Sequence, residues 1–245
     1  MEREKYADLL GRYDAVMARI NEAAEKYGRS AGDVRLVVAA KYATAEEICA
    51  LARYRGLDVI GENRVDTLLE HYEGLEHPDE MEIHFIGHLQ RNKVKYIIDK
   101  VDLIHSLDSL ALAEELERAA AKRGITVNVL VEINIGREES KNGVMPEEAE
   151  SFCESLSAFP HIKLCGFMTM APKSTNFDEY RNYFQETYQL VLDIWTKKLH
   201  NIYSPILSMG MSDSFEAAIA AGATHVRVGS SVFGRTTADM KKQNS

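Results

Sequence analysis

Three cysteines, five prolines and a single tryptophan in 245 residues rule out several architectures at once. Cys49, Cys153 and Cys165 are odd in number, widely spaced and set among apolar residues. This argues against a disulfide-stapled fold and for core thiols in a reducing compartment. The cysteines form no metal cluster, and His84 and His88, four apart as a metal pair on one helix could be, instead bracket a strand end, so no metal site is expected. No apolar run reaches the roughly 20 residues that a membrane-spanning helix needs. The start, Met1-Glu2-Arg3-Glu4-Lys5, is charged and leads into a helical pattern rather than a signal peptide. A cytoplasmic protein without a membrane partner is the expectation. Basic charge is also short: 29 Lys and Arg stand against 38 Asp and Glu, a net charge of −9, with the two signs interspersed. No basic stripe is available to a nucleic-acid backbone. Any phosphate has to be gripped locally, by backbone amides and a few placed side chains, against a repulsive overall field.

The chain has 45% apolar and 27% charged residues, enough for a sizeable core. Tyr6, Leu9, Leu10, Tyr13, Val16, Ile20, Ala23, Ala24 and Tyr27 recur at helical spacing and predict an amphipathic opening helix that stops near Gly28. From Val34 onward, β-rich runs alternate with helical patterns. Strands are predicted over 34–40, 57–60, 82–86, 103–105, 126–134, 162–168, 206–208 and 224–228. Helices are predicted over 45–54, 64–72, 92–99, 109–123, 146–158, 177–199 and 214–221. About eight βα units in a chain of this length predict a single-domain α/β protein, a (β/α)8 TIM barrel with an additional N-terminal helix. An open doubly wound sheet is the weaker alternative. The helix occupies 1–30 and the barrel 34–234, and 235–245 reads as a loose polar tail.

The run Val34-Arg35-Leu36-Val37-Val38-Ala39-Ala40 ends in Lys41, an amine at the mouth of a strand covered on both faces. Partial desolvation there would make it a nucleophile toward aldehydes; the alternative is a snorkelling surface lysine. Other distinctive residues also follow predicted strands: Gly61-Glu62-Asn63, Gly87-His88-Leu89-Gln90, Ser106, Asn134, Thr169, Ser208-Met209-Gly210-Met211-Ser212 and Gly229-Ser230-Ser231. Barrels place their sites at that end. The last two loops read as a phosphate cradle, with ordinary helix caps as the alternative. Arg227 alternates with apolar neighbours and should point into or above the mouth, toward a salt bridge or an aromatic nitrogen that it would keep unprotonated. A reactive lysine, a phosphate cradle and an arginine match the carbonyl, phosphate and ring nitrogen of pyridoxal 5′-phosphate (PLP). His84 and His88 bracket a strand end and read as polar contacts at the barrel mouth or, for His84, as plain hydrogen bonding. Asn63 and Asn134 read as cofactor contacts or turn residues.

Val38-Ala39-Ala40-Lys41, Gly61-Glu62-Asn63-Arg64-Val65, the run from His84 to Lys93, Gly166 to Met170, Ser208 to Ser212 and Val226 to Ser230 together resemble the pyridoxal-phosphate homeostasis proteins (YggS/PROSC type). The resemblance implies a barrel similar to the N-terminal domain of alanine racemase, with PLP held as a Schiff base on Lys41. It implies phosphate contacts at Ser208, Ser212, Gly229 and Ser230, the pyridine-nitrogen partner at Arg227, and Asn63 and Met209 around the ring. It further implies a role in vitamin B6 and amino/keto-acid balance without evident turnover and with no catalytic residue established. PLP-dependent apo-enzymes become candidate partners, and the chain a monomer or weak dimer. Ala40 and Tyr42 depart from the small hydroxyl residues usual beside the lysine, Ser214 from an Asp, and Ser230 from a Thr. Two enzymatic readings remain: a fold-type III racemase or decarboxylase, and a PLP-free aldolase using Lys41 with Glu62, Lys141 or His88. The racemase reading lacks the second acid/base group that alanine racemases take from a further C-terminal domain, which this chain, ending soon after the eighth strand, is expected to lack.

Overall fold

The computed structural model describes residues 2–196 and 205–235. Among these residues eight parallel strands close in sequence order into a barrel. They are β1 (Arg35–Ala39), β2 (Val59–Glu62), β3 (Glu82–Phe85), β4 (Leu103–Leu107), β5 (Val127–Ile133), β6 (Ile162–Thr169), β7 (Ile206–Ser208) and β8 (His225–Val228). Two helices, α1 (Glu2–Lys5) and α2 (Ala7–Lys26), precede β1. One helix then follows each strand in turn: α3 (Ala45–Arg55), α4 (Val65–Gly74), α5 (Val94–Ile97), α6 (Leu110–Arg123), α7 (Ala149–Leu156), α8 (Phe177–Thr196), α9 (Phe215–Ala220) and α10 (Ser230–Phe233). The (β/α)8 expectation holds. All eight strands fall where the sequence places them, within about two residues at each end. The opening helix is broken at Tyr6 into α1 and α2. The predicted end of α8 at 197–199 lies outside the described residues.

The strands are Val- and Ile-rich because each is buried on both faces. Outward residues such as Leu36, Val38, Ile60, Phe85, Val129, Phe167 and Val226 belong to the large core under the helices. The barrel interior is divided. Val37, Val59 and Ile86, with Ala39 against them, fill one part, and Leu103, Leu130 and Met168, with Cys165 and Ile206, fill another. Between these apolar clusters run polar side chains, His84, His105, Ser208 and Arg227, each 4% exposed or less.

Local signals position the loops. Thr44 and Glu47 form a capping box at the start of α3, Thr44 Oγ1 accepting from the Glu47 N–H and the Thr44 N–H reaching Glu47 Oε2. The strand pairing of β5 with β6 slips by one residue at Gly166, where φ is +150° and a side chain would stand 2.1 Å from the Ile206 carbonyl oxygen. Outside the barrel, α2 lies against the last βα unit, where Arg12 Nε donates to the Val232 carbonyl at 2.8 Å. Arg55 pairs with Asp14 of α2 at 2.5 Å.

Candidate functional site

The C-terminal ends of the strands gather most of the residues singled out from the sequence. Lys41 lies two residues past Ala39 and is exposed, its ammonium 4.9 Å from the centre of the Tyr42 ring. Its environment is therefore the open mouth, not the desolvated one that the apolar run suggests. The loop that carries it is firmly tied. Arg235 donates to the Tyr42 carbonyl at 2.6 Å and to both Glu47 carboxylate oxygens at 2.6 and 3.0 Å. Of the tail expected to be loose, Arg235 is thus anchored, and 236–245 lie outside the described residues. From the other side His71 Nε2 meets the Ala43 carbonyl at 3.2 Å, and its Nδ1 meets Glu62 Oε1 at 2.6 Å.

Glu62 is 1% exposed and its second oxygen has no partner. Burial raises its carboxyl above the usual range against the opposing pull of His71. Burial works to lower His71, but the hydrogen bond and charge of Glu62 prevail and raise it. Glu62 is therefore committed to His71 rather than to Lys41. Next to it, Asn63 is half-buried at the top of β2, and its amide makes no hydrogen bond among the described residues.

Arg227 is 4% exposed in the barrel interior, as its alternation with apolar residues predicts. It has no carboxylate within ion-pair distance among the described residues. Its Nη1 donates to the Ser208 carbonyl at 2.8 Å and to Ser208 Oγ at 2.7 Å, and its Nη2 donates to the Thr169 carbonyl at 3.0 Å. Burial lowers the guanidinium to about 10, with the Glu132 charge opposing, so it stays a cation at neutral pH. A guanidinium has five N–H donors, so two remain unpaired among the described residues: one on Nη2, and that of Nε, which is not fully enclosed by protein atoms.

Ser208 departs from the expected phosphate role. It is fully buried, accepting from Arg227 and lying 3.0 Å from His105 Nδ1. Ser212 and Ser230 fit that role better: both are half-buried, and Ser230 Oγ meets Ser212 Oγ at 2.9 Å across the tops of β7 and β8. Gly229 lets β8 close on β1, since a Cβ there would stand 2.6 Å from the Ala39 carbonyl oxygen. Met209 is 1% exposed, while Met211 is exposed at the rim. Ser214 does not cap α9 with its side chain; Oγ instead accepts from the Met211 N–H at 3.1 Å, pinning the β7 loop.

A cavity of about 470 Å³ opens at the β5 to β7 side of the mouth, lined by Glu132, Asn134, Lys141, Met170, Met211 and Ser214 among others. A cleft of about 690 Å³ between the β3 loop and α6, lined by residues such as Arg91 and Arg118, lies outside the mouth. Asn134 is occupied: its amide bonds the Glu138 backbone at 2.9 and 3.2 Å and shapes the loop. His88 is exposed and 3.4 Å from Asp108. His84 lies deep in the barrel and takes the hydrogen-bonding alternative, bonded to Glu82 and His105, rather than a mouth contact.

Two groups were not anticipated. Glu132 is 3% exposed, and burial, with Asp108 adding, pushes its carboxyl up to about 7 against Arg227. His105 is fully buried, and burial together with the charges of His84, Arg227 and His225 holds it well below the usual histidine range. The signal was present in the sequence: a carboxylate and an imidazole at inward positions of otherwise apolar strands.

A family model described as the alanine racemase N-terminal domain matches residues 12–237. The pyridoxal phosphate homeostasis protein of Aquifex aeolicus is 43% identical over 223 residues, covering 91% of this chain and 96% of that protein. This chain belongs to the pyridoxal phosphate homeostasis protein family. Among solved members, PipY of Synechococcus elongatus with PLP bound matches 88% of this chain and all of its own, with a TM-score of 0.75 and 29% identity. An alanine racemase of Clostridium difficile shares the fold at a TM-score of 0.70 and 18% identity, over 94% of this chain and 57% of the racemase.

Proposed function

We propose that this chain binds pyridoxal 5′-phosphate at the C-terminal mouth of the barrel and holds it reversibly, as part of vitamin B6 and amino/keto-acid homeostasis in the cytoplasm. The carrying observation is Arg227: a buried guanidinium with no carboxylate partner among the described residues and two unpaired N–H groups, on the strand that leads into the paired hydroxyls of Ser212 and Ser230 at the tops of β7 and β8. The residues fit the cofactor. Ser212, Gly229 and Ser230 would hold the phosphate, Arg227 would be the partner of the pyridine nitrogen, Asn63 and Met209 would contact the ring, and Lys41 would supply the covalent tether, a Schiff base. When bound, PLP supplies an aldehyde that condenses with an amine and a ring that can draw electrons from it.

Two features favour holding over turnover. Lys41 stands in the open mouth, where water reaches the linkage and keeps it reversible. Arg227 remains protonated, so a ring nitrogen bound against it would stay unprotonated and the ring would be a weak electron sink. The test is mass measurement and borohydride reduction of the PLP-loaded protein. One reduced cofactor fixed on Lys41, and none on Lys41→Ala, is the expected result; a normal fixed adduct in Lys41→Ala overturns the assignment.

One observation favours a second, enzymatic reading. Glu132, with its carboxyl raised to about 7, lines the mouth cavity and has the properties of a general acid or base. If PLP-loaded protein rapidly exchanges the α-hydrogen of an amino acid in deuterated solvent, the fold-type III enzyme reading replaces the first. The aldolase reading loses one of its three candidate partners, because Glu62 is bonded to His71.

A further inference from the structure

Arg227 is held from below by a continuous line of hydrogen bonds that crosses the barrel. From Ser208 Oγ it runs to His105 Nδ1 at 3.0 Å, from His105 Nε2 to His84 Nδ1 at 2.9 Å, and from His84 Nε2 to Glu82 Oε1 at 2.7 Å. Glu82 in turn pairs with Arg35 at 2.5 Å, and Arg35 with Asp58 at 3.0 Å, at the N-terminal end of the strands. Ser208, His105 and His84 are all fully buried, so no water shares their bonds.

The protons along this line have one arrangement that satisfies every atom. Arg227 can only donate, so Ser208 Oγ accepts from it and is left with one hydrogen of its own to give. That hydrogen goes to His105 Nδ1. A neutral His105 then carries its proton on Nε2 and donates to His84 Nδ1. His84 donates from Nε2 to Glu82, which is held as a carboxylate at about 2, chiefly by that hydrogen bond. The opposite direction would send an N–H from His105 into Ser208 and leave the buried serine hydrogen without an acceptor.

We infer that His105, backed by His84 and Glu82, is a positioning residue: it fixes the direction of the Ser208 hydroxyl and thereby locks the guanidinium of Arg227 against the tops of β6 and β7. The inference rests on the proposed role of Arg227 toward the cofactor ring, but its core concerns the protein alone. Among the described residues nothing else does this work: the Arg227 guanidinium has no ion pair there, and its remaining contacts are two backbone carbonyls that place no constraint on the serine hydroxyl. His225 lies beside the line, its ring stacked 6.2 Å from His84 and its Nδ1 bonded to Thr224 at 3.0 Å, and it is not a link in it.

Two measurements test this separately from cofactor binding. Long-range proton–nitrogen NMR of the PLP-free protein labelled in histidine should show His84 and His105 both protonated on Nε2 only; an Nδ1–H form of His105 overturns the inference, whether or not PLP binds. In PLP-loaded protein, His105→Leu should release the cofactor about tenfold faster, the effect of losing one buried hydrogen bond that orders a charged group. It should also shift the nitrogen resonance of the labelled pyridine ring, with reduction onto Lys41 unimpaired. His105→Gln, which keeps one donor and one acceptor, should restore both. Unchanged release and an unchanged ring resonance in His105→Leu overturn the inference. A wild-type protein that takes up no PLP instead refutes the proposed function and leaves the tautomer result standing.

Discussion

At the tops of β7 and β8 the polar side chains are buried and bonded to one another, whereas at the top of β1 the chemically interesting side chain stands in solvent. Arg227 and Ser208 are held by four hydrogen bonds among β6, β7, β8 and β4, all inside the barrel. Lys41 makes one contact, over the neighbouring tyrosine ring, and only its loop backbone is secured, by Arg235 and His71. The difference follows the two tasks. A partner for a ring nitrogen must be fixed before the ligand arrives, since ordering a buried cation afterwards costs desolvation and entropy. An amine that forms and releases a covalent bond must be reached by water and by its aldehyde. The barrel supplies rigidity on one side and access on the other.

That contrast can be broken most severely on the rigid side. Gly166→Ala would drive a methyl group into the Ile206 backbone at a positive φ, and a loss of about 3–5 kcal/mol in denaturant-measured stability is expected. A loss below about 1 kcal/mol would show that β6 and β7 yield easily and that the mouth is not preset.

Glu132 gives the next largest effect, and its sign depends on pH. Because its folded-state carboxyl titrates near 7 rather than 4.5, the native state holds the proton more tightly than the unfolded chain. The stability this contributes is complete below about pH 4.5 and is lost as pH rises through 7. The stability of Glu132→Gln relative to the native sequence should therefore grow by roughly 2–3 kcal/mol between pH 4.5 and pH 8. Parallel pH profiles for the two proteins would refute the buried, strained carboxyl.

His225 acts in the opposite sense, since burial, aided by His84 and Arg35, lowers it to about 4. Its stability contribution is present above about pH 6.5 and disappears as pH falls to 4, so His225→Phe should lose part of the acid-induced drop in melting temperature. An unaltered acid limb would show that His225 is not held neutral.

Lys41→Ala should change stability least, by under about 0.5 kcal/mol, because the side chain is exposed and its contact with Tyr42 is local. A large destabilisation in thermal or denaturant unfolding would mean that the lysine is part of the frame after all, and the contrast between the two sides would disappear.

Much of this was readable along the chain. The strands are short apolar runs separated by helical patterns, and each strand end carries its own polar signal, so Lys41, Asn63, Ser212, Arg227 and Ser230 could be placed on one face before any coordinates. Ser208 was placed at the right height but given the wrong partner. Sequence shows that a serine follows an apolar pair; it does not show that Arg227 and His105 converge on its hydroxyl from strands 19 and 103 residues away. Likewise the apolar run before Lys41 left a desolvated amine and a surface lysine both open, and the structure shows the exposed one.

What the sequence determined by itself is periodicity and residue type: the alternation that makes each strand, the helical stripes between them, and the amine, guanidinium and hydroxyls at strand ends. These are local, because side-chain direction along a strand or helix follows from backbone geometry. Only the closed barrel decided which of those groups meet. Closure brings β4, β6, β7 and β8 together around Arg227, buries His84 and His105 in contact, and commits Glu62 to His71. Hydrogen bonds are short-ranged and directional, so their partners depend on distances that folding alone sets.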